Sequence, residues 1–428
     1  MSNGPQTSPQ ACSLDEAALP LRFVSPAHEE PKKKKAHRKS RGGCRACKKR
    51  RVKCDEKHPC GNCLRRNEAC QPSQQSTPPE MEASTPPAPL QRPPLDPCGP
   101  VNLLHMELFH HFQHVTAPTL CFSEAWASAL PLAFNEEYLM TAMLAASARH
   151  ISTLRPQEHV YAQAAMALLS RSCAAFIEVL EKHDDSGDKC DPLFFTAMLI
   201  HHLTWCNLTF LEDQAVSGVT DTPLDLTGDQ LFLLSSGPRT FLSSTRARGP
   251  ESVFADMSST SQCGALEAIV EAQGWDCDAI VDCFMDRYDE ITAQEEKYQP
   301  DNTRIPGTDL SIQRDDGRRS SYKAIVRRLS VPIALLQHKL SNPTPPQASD
   351  IERFIFSFPL FFFGPILDMT ASGDSRALLV LYHFYRTSRL LLGHRQWWAS
   401  ERLETMEALI KQELERRDVG VSVKVVEP

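Results

Sequence analysis

The chain has 428 residues, of which 41% are hydrophobic, so it can build a sizeable core and, at roughly 100–200 residues per domain, two or three domains. Its formal net charge of −7 conceals a strong asymmetry. Between Lys32 and Cys70 there are 16 Lys or Arg residues against 3 Asp or Glu, a local charge of +13, and the remainder of the chain carries −20. A short cationic module on an acidic body is typical of a protein whose basic part binds a polyanion.

Secreted and membrane proteins are the classes that the sequence disfavours. The first residues contain no apolar stretch of the kind that directs secretion. The longest apolar run, Phe354 to Met369, is shorter than the roughly 20 residues of a membrane helix and contains prolines, so it predicts a buried core segment and no membrane association. The 15 cysteines are therefore expected in a reducing compartment, where clustered cysteines indicate a metal site rather than disulfides.

The chain begins with two segments that are not expected to form a core. Residues 1–30 are small, polar and proline-bearing, which predicts disorder. Residues 31–41 form a basic run that resembles a nuclear localisation signal and could equally serve as an arm that contacts DNA phosphates. The basic side chains of this run are Lys32, Lys33, Lys34, Lys35, Arg38, Lys39 and Arg41.

Residues 42–72 contain six cysteines in two copies of one spacing, C-x2-C-x6-C, joined by a five-residue loop. Two tetrahedral zinc ions, with four ligands each, can be held by six thiolates only if two of the thiolates bridge. Such a closed site is structural and replaces the apolar core that so short a segment cannot build. Iron–sulfur ligation is the alternative, but this spacing fits neither a four-cysteine cluster nor a ferredoxin. The predicted metal ligands are Cys44, Cys47, Cys54, Cys60, Cys63 and Cys70.

The two halves of this cysteine module differ in charge. The second half has only Arg65 and Arg66, offset by Glu68, whereas basic residues crowd the first half. Arginine on a helix can bind guanine O6 and N7 in the major groove, and neighbouring lysines neutralise phosphates. The first half is therefore predicted to bind double-stranded DNA through Lys48, Lys49, Arg50, Arg51 and Lys53.

The segment from Cys44 to Cys70, CRACKKRRVKCDEKHPCGNCLRRNEAC, resembles the DNA-binding domain of fungal zinc binuclear cluster transcription factors. The resemblance implies two Zn²⁺ ions per chain, with Cys44 and Cys60 as the bridging thiolates. It also implies that Arg50 and Arg51 contact the bases of a CGG-like triplet. Many members carry lysine at the position of Arg51, so this sequence departs from the family pattern at one base-contacting residue.

Residues 73–100 are predicted to be a linker, because ten prolines between residues 71 and 100 prevent a packed core. From residue 101 the apolar spacing becomes helical, without convincing strand alternation. Residues 101–417 are therefore predicted to form one all-helical domain with long insertions, followed by a tail at 418–428. The clearest predicted helix faces are Leu104, Leu108, Phe112 and Val115, and Tyr161, Ala165, Leu168, Ser172, Ala175 and Val179.

Short motifs near both ends of the helical domain resemble the regulatory domain of sterol-uptake-control-type regulators. In that family the helical domain can hold a hydrophobic effector. The alternative is a core that packs, forms a homodimer or recruits a coregulator. The motifs are Leu104 to Phe112, Trp126, Leu132 to Phe134, Tyr138 to His150, Arg376 to Tyr385 and Trp397 to Ala399.

Other candidate sites have ordinary explanations. His105, His110, His111 and His114 lie close in sequence, but no cysteine or carboxylate motif joins them, so surface or capping roles are favoured. The Phe361 to Phe363 run and the Trp397/Trp398 pair are predicted to be core. The chain lacks the zincin, nucleophile-elbow, phosphate-loop and dinucleotide-binding motifs, so no enzyme activity is expected.

Together these features predict a small metal-stabilised zinc cluster domain and a large all-α regulatory domain. The predicted function is nuclear, sequence-specific regulation of RNA polymerase II genes through CGG-like major-groove contacts. Control of a secondary-metabolite gene cluster is favoured by the compact length and the divergent centre of the helical domain, and sterol or lipid homeostasis is the alternative pathway. An enzymatic or small-molecule-sensing helical domain, merely localised by the zinc module, is the alternative from another class.

Overall fold

The computed structural model describes residues 44–50, 52–57, 59–70, 101–182, 190–211, 223–235, 238–239, 264–298, 309–339, 345–393 and 396–423. The predicted disordered N-terminus, the basic run at 31–41, the linker at 73–100 and Arg51 lie outside the described residues. The chain divides into two compact units, Met1–Cys98 and Gly99–Pro428, which are described separately below.

The first unit is organised around its cysteines. Its two helices, α1 (Arg45–Lys49) and α2 (Gly61–Leu64), each begin directly after a cysteine, and the Cys60 side chain caps α2 by accepting from the Cys63 N–H. Helices this short are not stable in water without tertiary support. The buried side chains that supply this support are Cys44, Cys47, Cys54, Cys60 and Cys63.

The second unit is all-helical, which confirms the fold class predicted for it, and no strand occurs in the part of this unit that the structure describes. A π-helical turn at Phe112–Thr116 and 3-10 turns at Ala117–Thr119, Ser123–Ala125 and Phe358–Phe361 link some of the helices. The α-helices include α3 (Leu103–His111), α4 (Trp126–Ala133), α5 (Glu137–Leu154), α6 (His159–Lys182), α7 (Cys190–Trp205), α8 (Gln230–Leu233), α9 (Gly264–Gln273), α10 (Cys277–Tyr298), α11 (Asp309–Gln337), α12 (Ala348–Ser357), α13 (Pro365–Ala371), α14 (Ser375–Leu392) and α15 (Ser400–Arg416).

Helix α14 lies at the centre of the main core. Its residues from Ser375 to Tyr385 are all buried, on every side of the helix. It packs against α10, α11, α12, α13 and α15. A helix that is buried all round must be enclosed by neighbours, so the other helices form a shell about it.

The predicted helix faces are correct for α6 and partly wrong for α3. Tyr161, Ala165 and Leu168 are buried against α5, as the spacing predicts. Leu108 and Phe112 are also buried, but Val115 is 39% exposed. The reason is the π-helical turn that starts at Phe112: its wider winding rotates the following residues away from the face that a regular α-helix would continue.

A neutral histidine joins three parts of the main core. The Cys121 backbone N–H donates to Nε2 of His202 at 3.2 Å, so Nδ1 carries the proton and donates to the Met198 carbonyl at 2.8 Å. The ring also packs against Phe356 and Trp398, with centroid distances of 4.1 and 5.8 Å. Burial lowers the pKa of His202 to about 3, because a charged imidazolium would be desolvated there.

The apolar run from Phe354 to Met369 is a core segment, as predicted, and most of its residues are buried. Helix α12 ends at Ser357, and Gly364, with φ of +60°, precedes α13. A positive φ favours glycine, and the chain turns by 90° between the two helical segments. Trp398 is fully buried as well, whereas Trp397 is partly exposed.

One helix of the second unit meets the length and hydropathy criteria of a membrane span. The segment His159–Glu181 within α6 has a mean hydropathy of 1.3, and 22% of its most apolar window is buried. The segments Ala348–Phe361 and Pro365–Ala371 meet the criteria only as a pair bent by 90°. The spacing of its apolar residues predicts α6 as a helix with one buried face and not as a membrane span. One face of α6, which includes Tyr161, Ala165 and Leu168, packs against α5.

The packed body continues past residue 417, further than the helical pattern indicates. Val419 and Val423 are buried. The His383 Nε2–H donates to the Val421 carbonyl at 2.9 Å, and Arg287 donates to the Gly420 carbonyl at 2.8 Å. Residues 419–423 therefore form an extended segment that is tied to α10 and α14.

Candidate metal centre and nucleic-acid interface

All six predicted cysteine ligands come together in the first unit. Their sulfur atoms form two overlapping groups of four, and within each group all the sulfurs lie within 4.8 Å of one another. Cys44 and Cys60 belong to both groups. The groups are Cys44, Cys47, Cys54 and Cys60, and Cys44, Cys60, Cys63 and Cys70.

The sulfur separations suit tetrahedral zinc. A Zn–S bond of about 2.3 Å places neighbouring sulfurs of a tetrahedron about 3.8 Å apart. The Sγ atoms of Cys44 and Cys60 are 3.7 Å apart, and those of Cys44 and Cys63 are 3.6 Å apart. All six are free cysteines rather than disulfides. The donor set therefore fits two zinc ions that share two thiolates.

Backbone N–H groups point at several of the sulfurs. Glu56 N–H donates to Cys54 Sγ at 3.4 Å, and Cys60 N–H donates to Cys70 Sγ at 3.3 Å. Cys63 N–H donates to Cys60 Sγ at 3.4 Å. Such hydrogen bonds orient the ligands and stabilise the negative charge of thiolates.

Two contacts between polar groups join the halves of the module next to the cysteines. Asn62 Nδ2 donates to the Lys53 carbonyl at 2.8 Å, and Gly61 N–H donates to the Asp55 carboxylate at 3.0 Å. The hydrogen bond from Gly61 holds the pKa of Asp55 below its usual value, because it stabilises the charged carboxylate. These contacts fix the start of α2 relative to the segment that follows α1.

The predicted DNA-binding residues divide into an exposed set and an inward one. Lys48, Lys49 and Lys53 are exposed on and after α1. The Arg50 side chain is only 24% exposed, and its Nη2 lies 3.0 Å from a Glu68 carboxylate oxygen and 3.6 Å from Cys63 Sγ. In this conformation the Arg50 guanidinium is directed at the second half of the module, where the acidic Glu68 attracts it. The base contact of Arg50 stays a prediction.

The residues that join the halves are not evident from the sequence pattern. Asp55, Asn62 and Glu68 have no periodic pattern, and their partners lie from six to eighteen positions away. One signal was available: Glu68 is the single acid between Cys60 and Cys70 and therefore the natural partner for a basic residue of the other half.

The four neighbouring histidines do not converge. His110 and His114 lie side by side on the exposed face of α3 and the π-helical turn, with ring centroids 4.5 Å apart. His111 turns the other way and contacts His150 at 5.2 Å, where burial lowers the pKa of both rings, that of His150 to about 4. His105 lies in the first turn of α3, with its backbone N–H bonded to Asn102. Among the described residues these histidines join no group of three or more metal-ligating side chains.

A charged cleft of about 700 Å³ lies between α10 and α11. Arg319 pairs with Asp289 at its edge. A lining of this kind does not provide the apolar surface that a hydrophobic effector needs. The residues that line the cleft are Asp282, Met285, Asp286, Asp289, Asp316, Arg319, Ser320 and Lys323.

Comparison with known proteins bears on the first unit most directly. Residues 42–79 match the fungal Zn(2)-Cys(6) binuclear cluster domain. The Zn(2)-C6 fungal-type transcription factor afumD of Aspergillus fumigatus is 39% identical over 135 residues, which are 29% of this chain and 35% of that protein. A Zn(2)-C6 fungal-type transcription factor of Gibberella zeae is 27% identical over 242 residues, 42% of this chain and 49% of that protein.

Sterol uptake control protein 2 of Candida albicans is 68% identical over 34 residues, which are 8% of this chain and 5% of that protein. The matched regions thus span about a third and about half of the two fungal-type relatives, at 35% and 49%. No solved structure matches the chain. Residues 42–79 are thus a fungal Zn(2)-Cys(6) binuclear cluster domain, a domain that binds two zinc ions.

Proposed function

We propose that the chain is a nuclear, sequence-specific DNA-binding regulator of RNA polymerase II transcription. The observation that carries the proposal is the pair of overlapping four-cysteine groups, from which the exposed basic helix α1 starts. The names of the two fungal-type relatives, both transcription factors, support it. The same names favour a non-enzymatic role for the chain.

In this proposal Cys44 and Cys60 bridge two zinc ions, and the other four cysteines each bind one. When bound, the zinc ions cross-link two short helices that have no apolar core of their own. The cross-links, together with the Asn62 and Gly61 hydrogen bonds between the halves, fix the direction of α1. A rigid α1 presents its exposed lysines in a fixed arrangement, so that their phosphate contacts can set the register of the module on the duplex.

The DNA contacts fall into two proposed classes. Lys48, Lys49 and Lys53 are exposed and are assigned to phosphates, which carry no sequence information. Arg51 is assigned to a guanine of a CGG-like triplet, because a guanidinium can donate to O6 and N7 together. The basic run at residues 31–41 is assigned to nuclear import, to a phosphate-contacting arm, or to both.

The helical body is proposed to be the regulatory part. It forms its own core around α14, so it can form a homodimer or recruit a coregulator independently of DNA reading. The charged cleft between α10 and α11 does not offer a hydrophobic effector an apolar lining. Control of a secondary-metabolite gene cluster is the pathway we favour, since the match to the sterol regulator covers only 8% of the chain.

The proposed division of roles on the basic face predicts two different losses. Arg51→Ala should weaken binding to a CGG-containing duplex by about 1–3 kcal/mol and leave a scrambled duplex less affected. Lys49→Ala, which removes the same charge two positions away, should weaken both duplexes alike and reduce the salt dependence of binding, because a phosphate contact releases counterions whatever the sequence.

The measurement is a titration of both labelled duplexes with the zinc-loaded full chain at several salt concentrations. Zinc content is determined for each variant, so that loss of the module is not mistaken for loss of a contact. An equal loss on the two duplexes for Arg51→Ala would exclude the base-reading role of Arg51.

A further inference from the structure

We propose that Arg50 is an internal clasp of the zinc module, which joins α1 to the second half and stabilises the bound zinc, rather than a base-contacting residue. The inference rests on the two-zinc domain and not on DNA reading. It concerns a residue whose spacing predicts an outward, DNA-facing role and whose observed side chain is turned inward.

The Arg50 guanidinium has three partners in three directions. Nε donates to the Ala46 carbonyl one helical turn earlier, at 3.3 Å. Nη2 donates to Cys63 Sγ at 3.6 Å and lies 3.0 Å from a Glu68 carboxylate oxygen. Ala46 belongs to α1, whereas Cys63 and Glu68 belong to the second half, so one side chain connects both halves.

The second-half partners are themselves held in place. The Glu68 backbone N–H donates to the Cys63 carbonyl at 3.1 Å, which fixes Glu68 beside the end of α2. Cys63 is fully buried and belongs to the second four-cysteine group. The guanidinium is therefore directed at a fixed pair of negative groups, one a carboxylate and the other a metal-ligating sulfur.

Charge explains why a cation is useful at this point. Six thiolates and two zinc ions together carry a net charge of about −2, because each zinc contributes two positive charges and each thiolate one negative charge. A guanidinium beside one of the sulfurs offsets part of that charge, and a hydrogen bond to a charged acceptor is stronger than one to a neutral acceptor. An ion pair with Glu68, whose side chain is 45% exposed, would by itself contribute little, so the contact to Cys63 distinguishes Arg50 from the other basic residues of α1.

Arginine suits this position better than lysine. Its planar fork donates in several fixed directions at once, whereas a lysine ammonium is a single point charge on a flexible chain. Arg50→Lys should therefore keep the charge near Glu68 but lose the simultaneous contacts to the Ala46 carbonyl and Cys63 sulfur. The clasp predicts that lysine restores only part of the effect of arginine.

The experiment measures the rate at which the zinc-loaded full chain releases zinc to an excess of a colorimetric chelator. Arg50→Ala should release zinc about tenfold or more faster than the original chain, since groups that support metal ligands typically change metal binding by this amount. Arg50→Lys and Glu68→Gln should lie between the two. Lys49→Ala is the matched control, since it removes the same charge from the same helix at an exposed position, and its release rate should stay close to that of the original chain.

A double variant tests the partnership directly. If Arg50 acts through Glu68 and Cys63, adding Glu68→Gln to Arg50→Ala should accelerate release less than it does in the original chain. Equal release rates for Arg50→Ala and Lys49→Ala would overturn the clasp. So would a loss of selectivity for CGG-containing DNA in Arg50→Ala at unchanged zinc release, because that result would assign Arg50 to the bases. Zinc release is read without DNA, so a chain that binds no DNA would refute the proposed function and leave the clasp standing.

Discussion

Cys60→Ala should leave the chain unable to hold either zinc ion. The Cys60 sulfur belongs to both four-cysteine groups, so its loss reduces each group to three ligands. The Cys70 sulfur belongs to the second group alone, and Cys70→Ala should therefore keep about one zinc ion per chain. Because the metals replace an apolar core in this unit, loss of both ions should also unfold it.

Native mass spectrometry or elemental analysis of the purified full chain counts the bound zinc in each variant. Cys173→Ala is the control, since Cys173 lies in α6 of the helical body and joins neither four-cysteine group. It should keep both ions. Equal zinc contents in Cys60→Ala and Cys70→Ala would mean that Cys60 does not bridge.

Arg402→Met should destabilise the helical body by about 3–5 kcal/mol, the range for breaking a buried ion pair. The side chains of Arg402 and Asp229 are 1% and 2% exposed, and their charged atoms are 2.7 Å apart. Arg402 also donates to the carbonyls of Trp205, Thr204 and Asn207, at the end of α7. Methionine would fill similar space but leave the Asp229 carboxylate and these carbonyls without a cationic donor.

Unfolding in urea, followed by tryptophan fluorescence, measures this loss, because all 5 tryptophans lie in the helical body. Arg327→Met is the control: Arg327 pairs with Asp278 at the surface, where the two side chains are 65% and 77% exposed, so the change should be at most about 1 kcal/mol. Adding Asp229→Leu to Arg402→Met should recover part of the stability, since it removes the unpaired charge. If Arg402→Met costs no more than Arg327→Met, the buried pair does not have the assigned role.

The zinc module was largely predictable because the spacing of its cysteines alone indicates the metal and its ligands. A duplicated C-x2-C-x6-C pattern and four-coordinate zinc require shared thiolates, whatever the surrounding residues. The all-helical body was predictable for a similar reason, since Tyr161, Ala165 and Leu168 on α6 recur at helical spacing and are buried. Both predictions use local sequence patterns that can be recognised without knowledge of the tertiary structure.

Contacts between distant segments were not predictable in this way. In the sequence Arg50 is indistinguishable from the other basic residues of α1, and only the structure shows that Glu68 lies beside it. Arg402 and Asp229 are 173 positions apart, and neither stands out from ordinary charged residues of its segment. The exposure of Val115 depends on a π-helical turn. The extra residue of this turn shifts the helix face, and the pattern of apolar residues in the sequence does not reveal it.

The zinc-loaded chain should select its DNA by sequence. A fluorescence anisotropy titration of a duplex with CGG triplets and of a scrambled duplex of equal composition, at one fixed salt concentration, measures this selection. We expect the CGG-containing duplex to bind about a thousandfold or more tightly than the scrambled duplex, and this difference to disappear when a chelator removes the zinc. Equal affinities for the two duplexes with two zinc ions bound would contradict it.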